Sequence, residues 1–278
     1  MKGLGDRIRW GGPIFLVSIA LLVSDQQNWT GGYGLVALSL LFGLAACIEA
    51  LSFREGGAWR KWVGVSVYLL VYLGGWSYLS KCDDPLLRAV ILLGIPLFLG
   101  SMLITGMKVE HRSPWLGSIT AILTAIWLAI PTMTVLILAE TDPLGIHAVL
   151  LGLLMVKGSD TGAYFTGRAL GRTPLHPVSP KKTWEGLIGG ALSAAAIGFV
   201  YALWLGSETL SGGQGIFLGV LMALVGQFAD LQESAMKRAA GRKDSGNLIP
   251  GLGGALDMVD SMLLAVPTLL LVRTVLNG

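Results

Sequence analysis

The sequence predicts an all-α integral membrane protein of about nine transmembrane helices, with a polar cavity at the cytoplasmic ends of its C-terminal helices. Three observations carry that expectation. Hydrophobic residues fill 53% of the 278 positions and charged residues only 13%, and the mean hydropathy is +0.69, a balance found in membrane chains. Apolar runs long enough to cross a bilayer recur along the whole length. Basic residues fall almost wholly on one side of the resulting map.

The runs cover roughly 12–24, 33–53, 63–80, 89–107, 116–139, 145–165, 186–206, 215–231 and 256–276. Together they use roughly 180 positions at about 20 each, so the short loops that remain cannot fold a separate soluble domain. The chain reads as one integral domain over 1–278, with scaffold helices in 1–110 and the chemistry in 111–278. Lys2, Arg7 and Arg9 precede a short first run, as in a signal peptide, but no A-x-A-like cleavage site follows. With the N-terminal side taken as inside, sixteen Lys and Arg lie inside against Lys81, Arg88 and Arg273 outside, and Lys157 falls within a run. The positive-inside rule then places the N-terminus in the cytoplasm and the C-terminus outside.

Several chemistries are excluded at this level. A net charge of +3, spread among loops, argues against a nucleic-acid partner. Cys47 and Cys82 are isolated, and His111, His147 and His176 sit in different connections, so neither type forms a metal pattern. No G-x-x-x-x-G-K-[ST] loop is present. The pairs Gly186/Gly190 and Gly215/Gly219 have the small-xxx-small spacing of helix packing.

The charge that the chain does carry is concentrated. "QFADLQESAMKRAAGRKDSG", 227–246, holds Asp230, Glu233, Lys237, Arg238, Arg242, Lys243 and Asp244. Seven charges in hydrocarbon would cost on the order of 20 kcal/mol, so the run ending near 231 must leave the membrane there. A continuing helix puts Asp230, Ser234 and Lys237 on one face, with Glu233 at its border. The glycine-rich "KDSGNLIPGLGGALDMVDS" leads back to the last run, whose first turns carry Asp257 and Asp260, three apart and facing the same way. Acidic oxygens suit Mg²⁺ or Ca²⁺, and the neighbouring cations suggest that a polyphosphate supplies the missing ligands. On the same membrane face, Asp160 closes one run, and "SPKKTWEG" sets Ser179, Lys181, Lys182 and Thr183 before the next. Pro180, Thr183 and Glu185 fit a helix start there, where backbone N–H groups bind anions.

These segments resemble the phosphatidate cytidylyltransferases, or CDP-diacylglycerol synthases. "SAMKRAAGRKDSGNLIPGLGGALDMVDS", Ser234 to Ser261, is similar to the family signature, and "SDTGAYFTGR" and "SPKKTWEGLIGG" look like its other segments. Two positions depart from the signature: Leu252 stands where the family has His, and Met258 where it has Arg. The resemblance implies transfer of CMP from CTP to phosphatidic acid, giving CDP-diacylglycerol and pyrophosphate. It implies Mg²⁺, with room for a second cation, on Asp230 and Asp257 with Asp260 in support. Lys237, Arg238 and Lys243 would then stabilise phosphate charge, and Ser179, Lys181, Lys182 and Thr183 would bind phosphates. Asp160 would orient one of these lysines, and Ser234 and Asp244 join the substrate-binding set. A homodimer in a bacterial inner membrane, its site facing the cytoplasm and open sideways to the lipid bilayer, completes the expectation. The superfamily also permits a CTP-dependent lipid kinase. A secondary transporter would place its ionisable groups near the midplane of both halves, whereas here they lie at one face of the second half.

Overall fold

The computed structural model describes residues 17–18, 20–21, 24–25, 33–53, 58–82, 84–107, 114–205, 210–246 and 253–277. Eight of the nine apolar runs are helices close to the expected bounds. They are α1 (Tyr33–Ser52), α2 (Ala58–Leu79), α3 (Pro85–Met107), α4 (Pro114–Thr141), α5 (Ile146–Leu170), α6 (Trp184–Leu205), α7 (Gly212–Ala239) and, interrupted at 260–261, α8 (Ala255–Val259) with α9 (Met262–Asn277). The run at 12–24 lies mostly outside the described residues. Among the described residues, six stretches are long and apolar enough to cross a membrane, in α1, α2, α4, α6, α7 and the α8–α9 pair, which marks an integral membrane protein. Helix α3 carries the apolar run 89–107 of the sequence, and α5 is broken in hydropathy by Lys157, Asp160 and Arg168.

Helix α4 is the centre. Its Trp127, Leu128, Ile137 and Leu138 are fully buried, and α1, α2, α3 and α9 pack around it. Polar side chains pair across this interior, as membrane helices require: Tyr72 with Ser39 at 2.6 Å and Tyr68 with Thr132 at 3.0 Å. Against this group stands a second layer, α5–α6–α7, whose neighbours pack closest of all. Glycine is the reason. A Cβ on Gly190 would meet the Ser159 carbonyl of α5, and one on Gly219 the Ala194 carbonyl of α6. The two small-xxx-small pairs therefore serve different seams, Gly186/Gly190 toward α5 and Gly215/Gly219 toward α6.

Arg273, assigned to the outer side by the charge map, is 2% exposed within α9. It forms a two-pronged pair with Asp142 at 2.7 and 2.9 Å, because a guanidinium among apolar helices requires a carboxylate beside it.

The connection 171–183 also differs from the expected helix start. It forms an antiparallel hairpin of β1 (Pro174–His176) and β2 (Ser179–Thr183). Thr183 then caps α6 by accepting the Gly186 N–H at 3.1 Å. Pro180 thus lies in a strand rather than at a first helical position, and Glu185 is spent on the Thr173 N–H and hydroxyl. At the other end of the second layer, Ser211 and Gln214 form a reciprocal capping box that starts α7. Gly241, at φ +69°, ends it.

Candidate active site

Helix α7 does not stop where its apolar run ends; it is 28 residues long in all and continues to Ala239. Its last turns carry Asp230, Glu233, Ser234 and Lys237 into a space bounded by α5, the β-hairpin, and the α8–α9 junction. There, one oxygen from each of Asp230, Glu233 and Asp260 lies within 4.8 Å of the other two. Glu233 is fully buried. It forms an ion pair with Lys237, and among the described residues neither of its oxygens accepts a hydrogen bond of good geometry.

Lysines ring this cluster. Lys182, turned inward from β2, forms an ion pair with Asp230, while its neighbour Lys181 is exposed. Lys157 donates to the Met258 carbonyl at 2.9 Å and to Ser261 Oγ at 3.2 Å, and lies 3.7 Å from Asp160. Asp160 in turn accepts from Ser261 Oγ at 3.3 Å and Gln227 Nε2 at 3.4 Å. The Lys237 ammonium sits between Glu233 and Asp257, 2.7 Å from the latter.

The structure thus brings Asp230 and Asp260 together and places Asp257 next door. Asp257 accepts from Lys237, from the Gly254 N–H at 2.9 Å and from the Ser245 N–H at 3.2 Å. The helix break at 260–261 explains the split. Asp257 caps the short α8, while Asp260 lies past α8 at the turn into α9. The third carboxylate in the cluster is Glu233, which the face pattern set only at the border.

The remaining expected residues are distributed as follows. Ser234 Oγ donates to Asp230 Oδ1 at 3.3 Å. Arg238 donates to the Arg242 carbonyl at 2.8 Å, a helix-end contact. Lys243 and Asp244 are exposed beyond that end. Ser179 is half-buried in β2 and Thr183 caps α6. Leu252 lies outside the described residues. Lys157, Gln227, Ser245, Ser261 and Glu49 were not singled out from sequence. Glu49 reaches the site from α1, accepting the Leu256 N–H at 3.0 Å and the Ser245 hydroxyl at 3.3 Å.

The acid cluster fits a small divalent cation. Octahedral Mg²⁺ binds oxygen at about 2.1 Å, so opposite ligands stand roughly 4 Å apart, within the 4.8 Å that bounds the three oxygens here. Glu49, Asp160, Asp230, Glu233, Asp257 and Asp260 outnumber Lys157, Lys182 and Lys237 around the network. By formal charge the surplus is negative, and a buried like-charge group of this kind is costly without a countercharge.

The cytidylyltransferase family profile matches residues 6–276. A phosphatidate cytidylyltransferase of Brucella suis is 34% identical over 251 residues, 88% of this chain and 86% of that one. The Haemophilus influenzae enzyme of the same name is 35% identical over 219 residues, 74% of this chain and 75% of its own. In Helicobacter pylori the match is 46% over 121 residues, covering 43% of this chain and 44% of the other. A family profile spanning nearly the whole length, with relatives matched across most of theirs, places this chain in the cytidylyltransferase family.

Proposed function

We propose that the protein transfers the cytidylyl group of CTP to phosphatidic acid, releasing pyrophosphate. One observation carries the reading beyond family membership: the Asp230–Glu233–Asp260 cluster ringed by Lys182, Lys157 and Lys237. The lipid phosphate oxygen attacks the α-phosphorus of CTP. The bond from that phosphorus to the oxygen bridging to the β-phosphate breaks, and pyrophosphate departs in line. Such a step needs positioning and charge neutralisation rather than a protein nucleophile.

Asp230, Glu233 and Asp260 would hold Mg²⁺, which neutralises phosphate charge when bound. Asp257 keeps Lys237 in place beside Glu233. Lys182, on its strand at the rim, is placed to pass from Asp230 to a phosphate oxygen, and Lys181 and Ser179 on the same strand face arriving CTP. Lys157 and Asp160 hold the α8–α9 junction that carries Asp260.

Nine spans, a cytoplasmic N-terminus and a site open to the cytoplasm and sideways to lipid complete the proposal. The basic-residue asymmetry supports the orientation. Residence in the bacterial inner membrane and a homodimeric assembly rest on the family resemblance.

Labelled CTP tests the reaction. Purified protein with phosphatidate and Mg²⁺ should move the α-phosphorus label into lipid and release the γ label as pyrophosphate. A γ label in the lipid, with CDP released, would instead establish the lipid kinase. Uptake of a solute into proteoliposomes without CTP would support a transporter.

A further inference from the structure

We infer that Glu49 is a positioning residue for this site, so that the N-terminal half of the chain takes part in it. The inference rests on the cytidylyl-transfer reading for its kinetic consequence, and on geometry alone for the contact itself.

Glu49 lies in the last turn of α1. Its Oε2 accepts two hydrogen bonds from across the molecule, from the Leu256 N–H at 3.0 Å and the Ser245 hydroxyl at 3.3 Å. Leu256 is fully buried and Ser245 is 1% exposed, so among the described residues both donors would be unpaired without it. Ser245 is the hinge of the arrangement. Its Oγ accepts the Asp257 N–H at 3.3 Å, while its own N–H donates to the Asp257 carboxylate at 3.2 Å. Asp257 holds Lys237, and Lys237 holds Glu233 of the acid cluster. One unbroken chain of polar contacts therefore runs from α1 to the cluster.

Two glycines bear the imprint of the same carboxylate. A Cβ added to Gly246 or to Gly254 would run into Glu49, and the one on Gly254 would also strike Ser245 Oγ. A side chain at either glycine would displace the Glu49 carboxylate from its present place. The end of α1 is tied to this loop a second time. Arg242 donates to the Ser52 carbonyl at 2.7 Å, and its guanidinium lies 5.6 Å from the centre of the Phe53 ring. These contacts make α1 one wall of the segment that aims Asp257.

Glu49 touches neither the acid cluster nor, on this reading, a substrate. Its removal should therefore lower kcat more than it raises KM. Loss of such supporting contacts typically costs about 10- to 100-fold in activity. Glu49→Ala should lower kcat by at least about 10-fold while KM for CTP stays within about twofold. Glu49→Gln keeps an oxygen acceptor for the Leu256 N–H and should recover most of the loss. Amide hydrogen exchange supplies a readout independent of turnover. The segment 253–259 should exchange about 10-fold faster in Glu49→Ala than in wild type, and at nearly the wild-type rate in Glu49→Gln. Unchanged exchange in Glu49→Ala overturns the inference whatever the activity. So does wild-type kcat in Glu49→Ala, or a loss that Gln does not relieve. Wild-type protein that fails to make CDP-lipid sinks the functional reading instead, and the exchange comparison still judges Glu49.

Discussion

Replacing Lys237 by Met would separate structural from chemical consequences within the site. The methionine stem keeps most of the lysine's volume, so little packing is lost. What disappears is the ammonium between Glu233, whose side chain is 0% exposed, and Asp257, at 18%. Removing one partner of a buried pair leaves an uncompensated charge and costs about 3–5 kcal/mol. Here two carboxylates lose the same partner, with Asp230 and Asp260 beside them, so the upper part of that range applies. One kcal/mol moves the midpoint of a chain this size by about 2–3 °C, which predicts a fall on the order of 10 °C. Thermal unfolding in detergent, run in EDTA and again in Mg²⁺, measures it. The fall should be smaller in Mg²⁺, because a bound cation takes over part of the neutralisation, and adding Glu233→Gln should restore part of the loss in EDTA. A Lys237→Met midpoint within about 2 °C of wild type in EDTA would mean that the buried pair contributes almost nothing to stability.

Two further expectations follow from neighbouring geometry. Lys182→Ala, which removes the ion pair to Asp230, should lower kcat/KM by about 100-fold, whereas the exposed Lys181→Ala should act mainly on KM for CTP, by about 10-fold or less; steady-state kinetics with CTP varied would show equal effects if the strand does not turn one lysine inward. Gly219→Ala pushes a methyl into the Ala194 carbonyl of α6, while a Cβ on Gly213 meets nothing within 4 Å. The first should destabilise by about 1–3 kcal/mol and the second by less than about 0.5, and equal midpoints in thermal unfolding would count against the glycine seam.

Much of this was legible in the sequence because membrane helices announce themselves locally. Eight of the apolar runs are helices, and the acids that re-enter the membrane do gather, because Asp230 and Asp260 in lipid would each be costly. The glycine spacing also carried over directly, since close backbone approach leaves few alternatives. What escaped depends on how helices end and which face turns inward. Asp257 and Asp260 are three apart on paper, but the break at 260–261 sends one to Lys237 and the other to the cluster. Glu233 was set at the edge of a face drawn through Asp230 and Lys237, yet it is the most buried of these acids. Lys181 and Lys182 looked equivalent until strand geometry turned only one of them inward. Glu49 had no sequence signal, because its partners lie about 200 residues away and the contact is made by tertiary packing alone.

On the proposed function, Asp230, Glu233 and Asp260 together hold a divalent cation. Binding of Mn²⁺, as a paramagnetic stand-in for Mg²⁺, can be titrated by electron paramagnetic resonance on the purified protein and on Glu233→Gln and Asp260→Asn. The account predicts one saturable ion per chain in wild type, displaced by excess Mg²⁺, and affinity weakened by at least about 10-fold in either variant. Wild-type affinity in both variants would contradict it.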